Sequence, residues 1–175
     1  NNGEVEDYRW LFGALGETVW EDANSNNTWE GFEPLFTNVI VFVDLNTNLV
    51  RDADEPYTVT GNNAVTGTNT APGTWGRYWI GGFPPGTFNI RVDSNTLPTN
   101  EEYYATYDLD GGTDNVAAVT MGSGDVNINV DFGYRSKNST YVLLSSFQAS
   151  AADGDVVLEW ETAAEMGTAG FNILR

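Results

Sequence analysis

The sequence predicts an all-β chain, a β-sandwich followed by a partial second β-sandwich. Two observations carry this. Short runs rich in β-branched and aromatic residues recur along the 175 residues, separated by Gly, Pro, Asn and Asp, and few stretches show a helical period. With 41% hydrophobic residues, 6 Trp, 8 Tyr and 9 Phe, the chain can bury a core for one ordinary domain plus a smaller unit.

The elements follow in order. Residues 3–10 (GEVEDYRW) read as a short acidic-aromatic strand. Residues 17–20 read as a strand, and 37–44 (TNVIVFVD) as a buried one, because the run is apolar and β-branched. The stretch 58–76 is polar and rich in Gly, Asn and Thr, so it reads as a long surface loop. Strands are expected at 77–80, before the Gly81-Gly82 break, at 87–92 and at 116–121, with a Pro84-Pro85-Gly86 turn between the first two. Residues 126–134 (VNINVDFGY) alternate most clearly, which puts Val126, Ile128, Val130, Phe132 and Tyr134 on one face. After the polar break at 136–140, strands are expected at 141–147, 156–160 and 171–174, with a short helical turn within 162–170. The resulting division is an N-terminal strand (1–12), a main sandwich (13–135), a linker (136–140) and an incomplete second sandwich (141–175).

Charge narrows the function. The 25 acidic residues against 7 basic ones give a net charge of −18. Nucleic acid needs Lys and Arg on the protein, so it is not an expected partner, whereas cations are. With no Cys and no His, thiolate metal sites, disulfides, thiol nucleophiles and the commonest general base are absent. No apolar run is long enough to span a membrane. No nucleophile motif or hydrophobically placed acid stands out, so the chain is not expected to be an enzyme.

The acids and amides have a spacing that points to calcium. Residues 22–33 place Asp22, Asn24, Asn26, Glu30 and Glu33 at positions one, three, five, nine and twelve of a loop. Residues 44–55 repeat this with Asp44, Asn46, Asn48, Asp52 and Glu55. The position-seven residues, Thr28 and Val50, would offer carbonyls. This is the oxygen spacing of an EF-hand calcium loop. Calcium takes six to eight hard oxygens, and a twelfth-position Glu can bind through both of its own. Neutral Asn oxygens limit repulsion between carboxylates, and so few charges imply weak binding, roughly 10⁻⁴–10⁻³ M. Position six normally holds Gly. Asn27 tolerates the left-handed backbone required there. Leu49 is expected to be strained or to force a different turn, which makes the second loop the less secure site. Ordinary Asx turns are the plain alternative, but two such loops, each ending Glu-Pro, favour calcium. The shorter run Asp108-Leu109-Asp110-Gly111-Gly112-Thr113-Asp114 reads as a solvated hairpin turn in preference to a third site.

These residues also carry a family resemblance. Residues 16–22 (GETVWED), the following loop, 83–88 (FPPGTF), 104–111 (YATYDLDG) and 130–135 (VDFGYR) resemble, in that order, the B-type repeats of serine-aspartate repeat (SdrD B-like) surface proteins, relatives of the collagen-adhesin B-type domain. The resemblance covers about two-thirds of the chain. It implies a prealbumin/immunoglobulin-like sandwich, stiffened by Ca²⁺ at the residues above, in a bacterial protein that is extracellular, cell-surface or secreted. Some relatives carry a Lys–Asn isopeptide staple. Here the single Lys, Lys137, lies in the linker, so such a staple in the main sandwich is not expected. Residues 3–8 look like the closing strand of a GEVED-type module, and 144–175 (with LEWET at 158–162) are similar to the opening strands of a fibronectin type III-like domain.

Two functions follow from this reading. The first is a structural stalk or fibre subunit, whose terminal strands pair with identical subunits or with neighbouring domains of the same chain. A half-sandwich exposes apolar faces that strand donation would cover. The alternative is a carbohydrate-binding or adhesive module of a larger secreted protein, with Trp75, Tyr78, Trp79 and Tyr103 as an aromatic platform. Sequons at Asn26 and Asn138, and Thr66, Thr68 and Thr70, mark possible glycan sites.

Overall fold

A computed structural model describes residues 11–61, 76–138, 141–152, 154–166, 168 and 170–172, with positions 141, 152, 164 and 166 described in their backbone only. The expected N-terminal strand, Trp75 and the loop threonines Thr66, Thr68 and Thr70 lie outside these residues. The strands are β1 (Gly13–Glu21), β2 (Ile40–Asp44), β3 (Tyr57–Val59), β4 (Arg77–Phe83), β5 (Gly86–Val92), β6 (Tyr103–Tyr107), β7 (Val116–Met121), β8 (Val126–Asn127), β9 (Phe132–Ser136), β10 (Tyr141–Ala152) and β11 (Asp155–Met166). A single 3₁₀ turn, Ser94–Thr96, follows β5.

The first nine strands form two sheets. One runs β4-β1-β9-β6, with β8 also on β1, and the other runs β3-β2-β5-β7. The second sheet is antiparallel throughout. In the first, β1 meets β9 and β8 in parallel but β4 antiparallel. Alternation builds the core between the sheets. Ala117, Val119 and Met121 of β7, Ile90 and Val92 of β5, and Val41 and Val43 of β2 face Leu15, Val19, Tyr78, Ile80, Phe132 and Tyr134 of the first sheet. The fold is therefore the all-β sandwich that the sequence predicts.

Several elements differ from expectation. The run 126–134 is not one strand. Val126 pairs with Ala14, an offset of 112, while Phe132 pairs with Val19, an offset of 113. One extra residue is thus inserted, and a one-residue slip reverses the face of every side chain beyond it. Val126 and Ile128 are consequently 64% and 52% exposed, while Val130, Phe132 and Tyr134 are buried. Asp131 bridges the irregularity by accepting from Thr18 N and Thr18 Oγ1, both at 2.8 Å.

The polar stretch from Thr58 begins as strand β3, not as loop. Thr58 and Thr60 are fully buried, and Thr60 Oγ1 accepts from Val39 N at 3.0 Å. β4 runs through Gly81-Gly82 instead of ending before it. The helical turn expected within 162–170 is replaced up to Met166 by strand, because β11 pairs with β10 along its whole length. Phe171 and Asn172 are not in a strand, and 173–174 lie outside the described residues. β10 and β11 make a two-stranded sheet of their own.

Candidate metal centre

The two twelve-residue loops leave the sandwich in equivalent ways. The first follows β1 and is closed by Glu21 N donating to Pro34 O at 2.8 Å, and the second joins β2 to β3 and is closed by Val43 N donating to Pro56 O at 2.8 Å. The Glu-Pro ending explains the closure. In each loop the proline that follows the last Glu contributes its carbonyl as the acceptor.

Inside, the hydrogen bonds repeat at a spacing of 22 residues. Glu33 Oε1 accepts from Ala23 N (2.9 Å) and Oε2 from Glu30 N (3.1 Å). Glu55 does the same with Leu45 N (2.8 Å) and Asp52 N (2.9 Å). Asn24 Oδ1 accepts from Asn26 N and Asn26 Oδ1 from Thr28 N. Asn46 and Asn48 repeat that chain of Asx turns onto Asn48 N and Val50 N. At position one, Asp22 Oδ2 accepts from Asn27 N (3.2 Å) and Asp44 Oδ2 from Leu49 N (3.1 Å). At position nine, the Glu30 carboxylate accepts from the side-chain amides of Asn24 and Asn26, and Asp52 Oδ2 from those of Asn46 and Asn48.

The backbone repeats as well. Ser25 and Thr47, at position four, have φ of 59° and 60°, while Asn27 and Leu49, at position six, have φ of 62° and 72°. Leu49 therefore does not force a different turn. It takes the left-handed conformation that Asn27 takes, at the cost such a backbone imposes on a bulky residue.

Each loop thus brings its first and twelfth residues beneath the surface and leaves the middle outside. Asp22, Glu33, Asp44 and Glu55 are only 0%, 4%, 3% and 4% exposed, whereas Asn26, Thr28, Asn46, Asn48 and Val50 are exposed. Burial, opposed by the two N–H donors, holds the Glu33 carboxyl above its usual range. The loops differ at position nine, where Glu30 uses both oxygens and Asp52 only Oδ2, and at position one, where Asp22 Oδ1 also accepts from Asn26 N at 3.1 Å. Arg91 of β5 places Nε 3.2 Å from Asp44 Oδ2, while Asp44 Oδ1 is buried without a partner. The donor set of each loop suits calcium in number and hardness, with three side-chain carboxylates, two amide oxygens and one carbonyl. Among the described residues, however, no three carboxylates are gathered at metal-binding distance. The position-three and position-five amides now point their nitrogens at residue nine, and filling either loop asks them to turn.

Of the four aromatics in the alternative reading, Trp75 lies outside the described residues, Trp79 of β4 is half-buried, and the other two have partners within the sandwich. Tyr78 belongs to the core and donates its hydroxyl to Val130 O at 2.5 Å, and Tyr103 packs edge-on against Phe36 at 5.0 Å. The amide nitrogen of Asn26, in one of the two sequons, donates to Glu30 Oε1.

The segment 108–114 is not a hairpin turn. It connects β6 of one sheet to β7 of the other, and Asp108 is 1% exposed. Burial, then the neighbouring Asp110, push its carboxyl up to about 6, while the N–H of Ala118 holds the Asp110 carboxyl below its usual range. No sequence signal separated this buried aspartate from an exposed turn residue.

In the remaining hairpin, Val142, Leu144, Phe147, Leu158, Trp160 and Phe171 line an apolar groove of about 350 Å³. Phe147 and Leu144 are exposed, and Trp160 meets Phe171 edge-on at 5.6 Å. Among the described residues, no helix is long and apolar enough to cross a membrane.

No protein-family model matches the chain, and no curated protein does. Among solved structures it is similar to the minor pilin GBS52 of the Gram-positive pathogen Streptococcus agalactiae, at 12% sequence identity and a TM-score of 0.41. The likeness covers 73% of this chain and 45% of that one. At that identity and score it bears on neither family nor function.

Proposed function

We propose that this chain is a non-catalytic structural segment of an extracellular bacterial surface protein or fibre, and that Ca²⁺ held in loops 22–33 and 44–55 staples its sandwich. The observation that carries the reading is the duplicated loop. Two stretches that differ at most positions hold the same pair of backbone bonds to the twelfth-position Glu, the same left-handed backbone at positions four and six, and buried carboxylates at positions one and twelve, 22 residues apart. Buried carboxylates are costly in a low dielectric, and a cation offsets that cost. Asp22, Asn24, Asn26, Thr28 O, Glu30 and Glu33 would hold one ion. Asp44, Asn46, Asn48, Val50 O, Asp52 and Glu55 would hold the other. With no Cys for disulfides, metal is the staple such a domain has open to it.

Calorimetric titration with CaCl₂ tests this. Glu33→Gln and Glu55→Gln should each remove one equivalent of bound ion. Heats that do not saturate by 10 mM, or that both substitutions leave unchanged, contradict the assignment.

The apolar face of the β10–β11 hairpin supports the second half of the proposal. A two-stranded sheet is marginal alone, and one with Phe147, Val156 and Trp160 open to water needs cover. Strands from a neighbouring domain or an identical subunit would provide it. Sedimentation across a concentration series checks this, and a monomer at all concentrations with slowly exchanging hairpin amides would sink it.

A further inference from the structure

Strand β7 ends the second sheet, and among the described residues it pairs with β5 alone. Its six residues, VAAVTM, include no charged side chain, no Pro and no Gly. An uncharged, β-prone run at a free edge is a ready template for another strand. The ladder shows which backbone groups face outward. Val92 N donates to Asn115 O at 3.4 Å, and the same phase continues through the pairs Ile90–Ala117, Phe88–Val119 and Gly86–Met121. Hydrogen-bonded pairs alternate along an antiparallel ladder, so Val116, Ala118 and Thr120 turn their N–H groups away from β5, and Gly122 follows in the same phase. Carboxylates occupy three of these four outward positions. Asp114 Oδ1 accepts from Val116 N (3.2 Å), Asp110 Oδ2 from Ala118 N (2.9 Å) and Asp125 Oδ2 from Gly122 N (2.6 Å). The first and last of these bonds join near neighbours in the chain. The middle one spans eight residues and lies mid-strand, and Asp110 is steadied for it by Gly112 N, which donates to its Oδ1 at 3.3 Å.

We infer that β7 is a latent pairing edge for a second copy of this chain, and that Asp110 is the residue that keeps it closed. The occupant that fits is the β7 edge of that second copy, antiparallel about a twofold axis. The same uncharged run then meets itself, and each copy's outward N–H and C=O groups find partners on the other. Asp110 blocks this because its carboxylate holds the central N–H that an incoming carbonyl would need. β7 has no charged side chain of its own to turn a partner away, so the guard comes from the connection that precedes it. The role does not depend on any ion in loops 22–33 and 44–55.

Hydrogen exchange and sedimentation of the intact chain in chelator test this. In Asp110→Ala at low concentration the Ala118 amide should exchange about tenfold faster, the loss of one hydrogen bond, while Ala117 and Val119, bonded to β5, stay slow. As concentration rises, this variant should sediment toward twice the mass of the native chain under the same conditions. Asp110→Asn keeps an acceptor for Ala118 N and should match the native chain in both measurements. Thr120→Pro added to Asp110→Ala should restore native sedimentation, since proline there removes an outward N–H from the edge and leaves the β5 ladder whole. An Asp110→Ala chain that sediments like the native one at every concentration overturns the inference. So does association that Asp110→Asn shows equally, or that the added proline fails to reverse, because either result places the cause elsewhere than in an opened edge.

Discussion

Arg91 offers the sharpest test of how the second loop manages its charge. Its side chain and that of Asp44 are 13% and 1% exposed, with Nε and Oδ2 3.2 Å apart. Two unit charges roughly 4 Å apart attract by about 4 kcal/mol at an effective dielectric constant of 20. Removing one partner of a buried pair costs about 3–5 kcal/mol, because the other charge stays buried. Arg91→Gln without calcium should therefore lose about 3 kcal/mol, or on the order of 10 °C in Tm for a domain of this size. With calcium at Asp44 the ion supplies the missing charge, and the loss should fall below about half that value. The same variant should bind calcium more tightly in that loop, since Arg91 no longer competes for the carboxylate. Paired melting curves in chelator and in 10 mM CaCl₂ measure both effects. An equal loss in the two buffers would refute the idea that Arg91 and an ion serve the same carboxylate.

Further predictions follow from the same structure. Gly16→Ala would put a β-carbon 2.2 Å from Tyr78 O across the β1–β4 pair, so denaturant unfolding should show a loss of about 2–4 kcal/mol. Gly31→Ala, which meets nothing within 4 Å, serves as its neutral control. Leu49→Asn should raise the melting midpoint in chelator and in calcium alike, because Asn tolerates a φ of 72° that Leu disfavours; an unchanged midpoint in both buffers would remove that strain from the account. Burial raises the Asp131 carboxyl, and Asp108 stands at about 6. A raised carboxyl pKa means that the folded state holds its proton longer than the unfolded state. In chelator, each of these two groups therefore contributes stability that is fully present below its unfolded value of about 4 and is lost as pH rises through its folded one. Asp131→Asn keeps an acceptor for Thr18 and should flatten part of that decline between pH 4 and 7, read from urea midpoints; an unchanged slope would remove Asp131 from the account.

Much of the sandwich was legible because its strands bury β-branched residues at alternate positions. β7 (Val116–Met121) agrees residue for residue with its pattern, and β5 begins one residue early. What escaped was set by partners distant in sequence. β3 and β6 carry Tyr and Thr where a core strand would show Val and Ile. Their burial depends on contacts such as Thr60 with Val39 and Tyr103 with Phe36, which no local pattern announces. The change of offset between β8 and β9 along β1 is accompanied by a bond from Thr18 to Asp131, 113 residues away. The twelve-residue loops could be read because Asx turns are local, running from Asn24 to Asn26 and from Asn26 to Thr28. Leu49 misled for a reason of the same kind. Its own preference opposes φ of 72°, but the N–H it offers to Asp44 and the closure at Pro56 outweigh that preference.

The central claim is that calcium staples this sandwich, and the melting midpoint in calcium against chelator tests it most directly. For sites of roughly 10⁻⁴–10⁻³ M, 10 mM Ca²⁺ contributes about 1.4–2.7 kcal/mol each, so two loops together give about 3–5 kcal/mol. The account predicts a midpoint higher in 10 mM CaCl₂ than in chelator by on the order of 10 °C, with most of the rise lost when Glu33 and Glu55 are both changed to Gln. The same midpoint in the two buffers would contradict it.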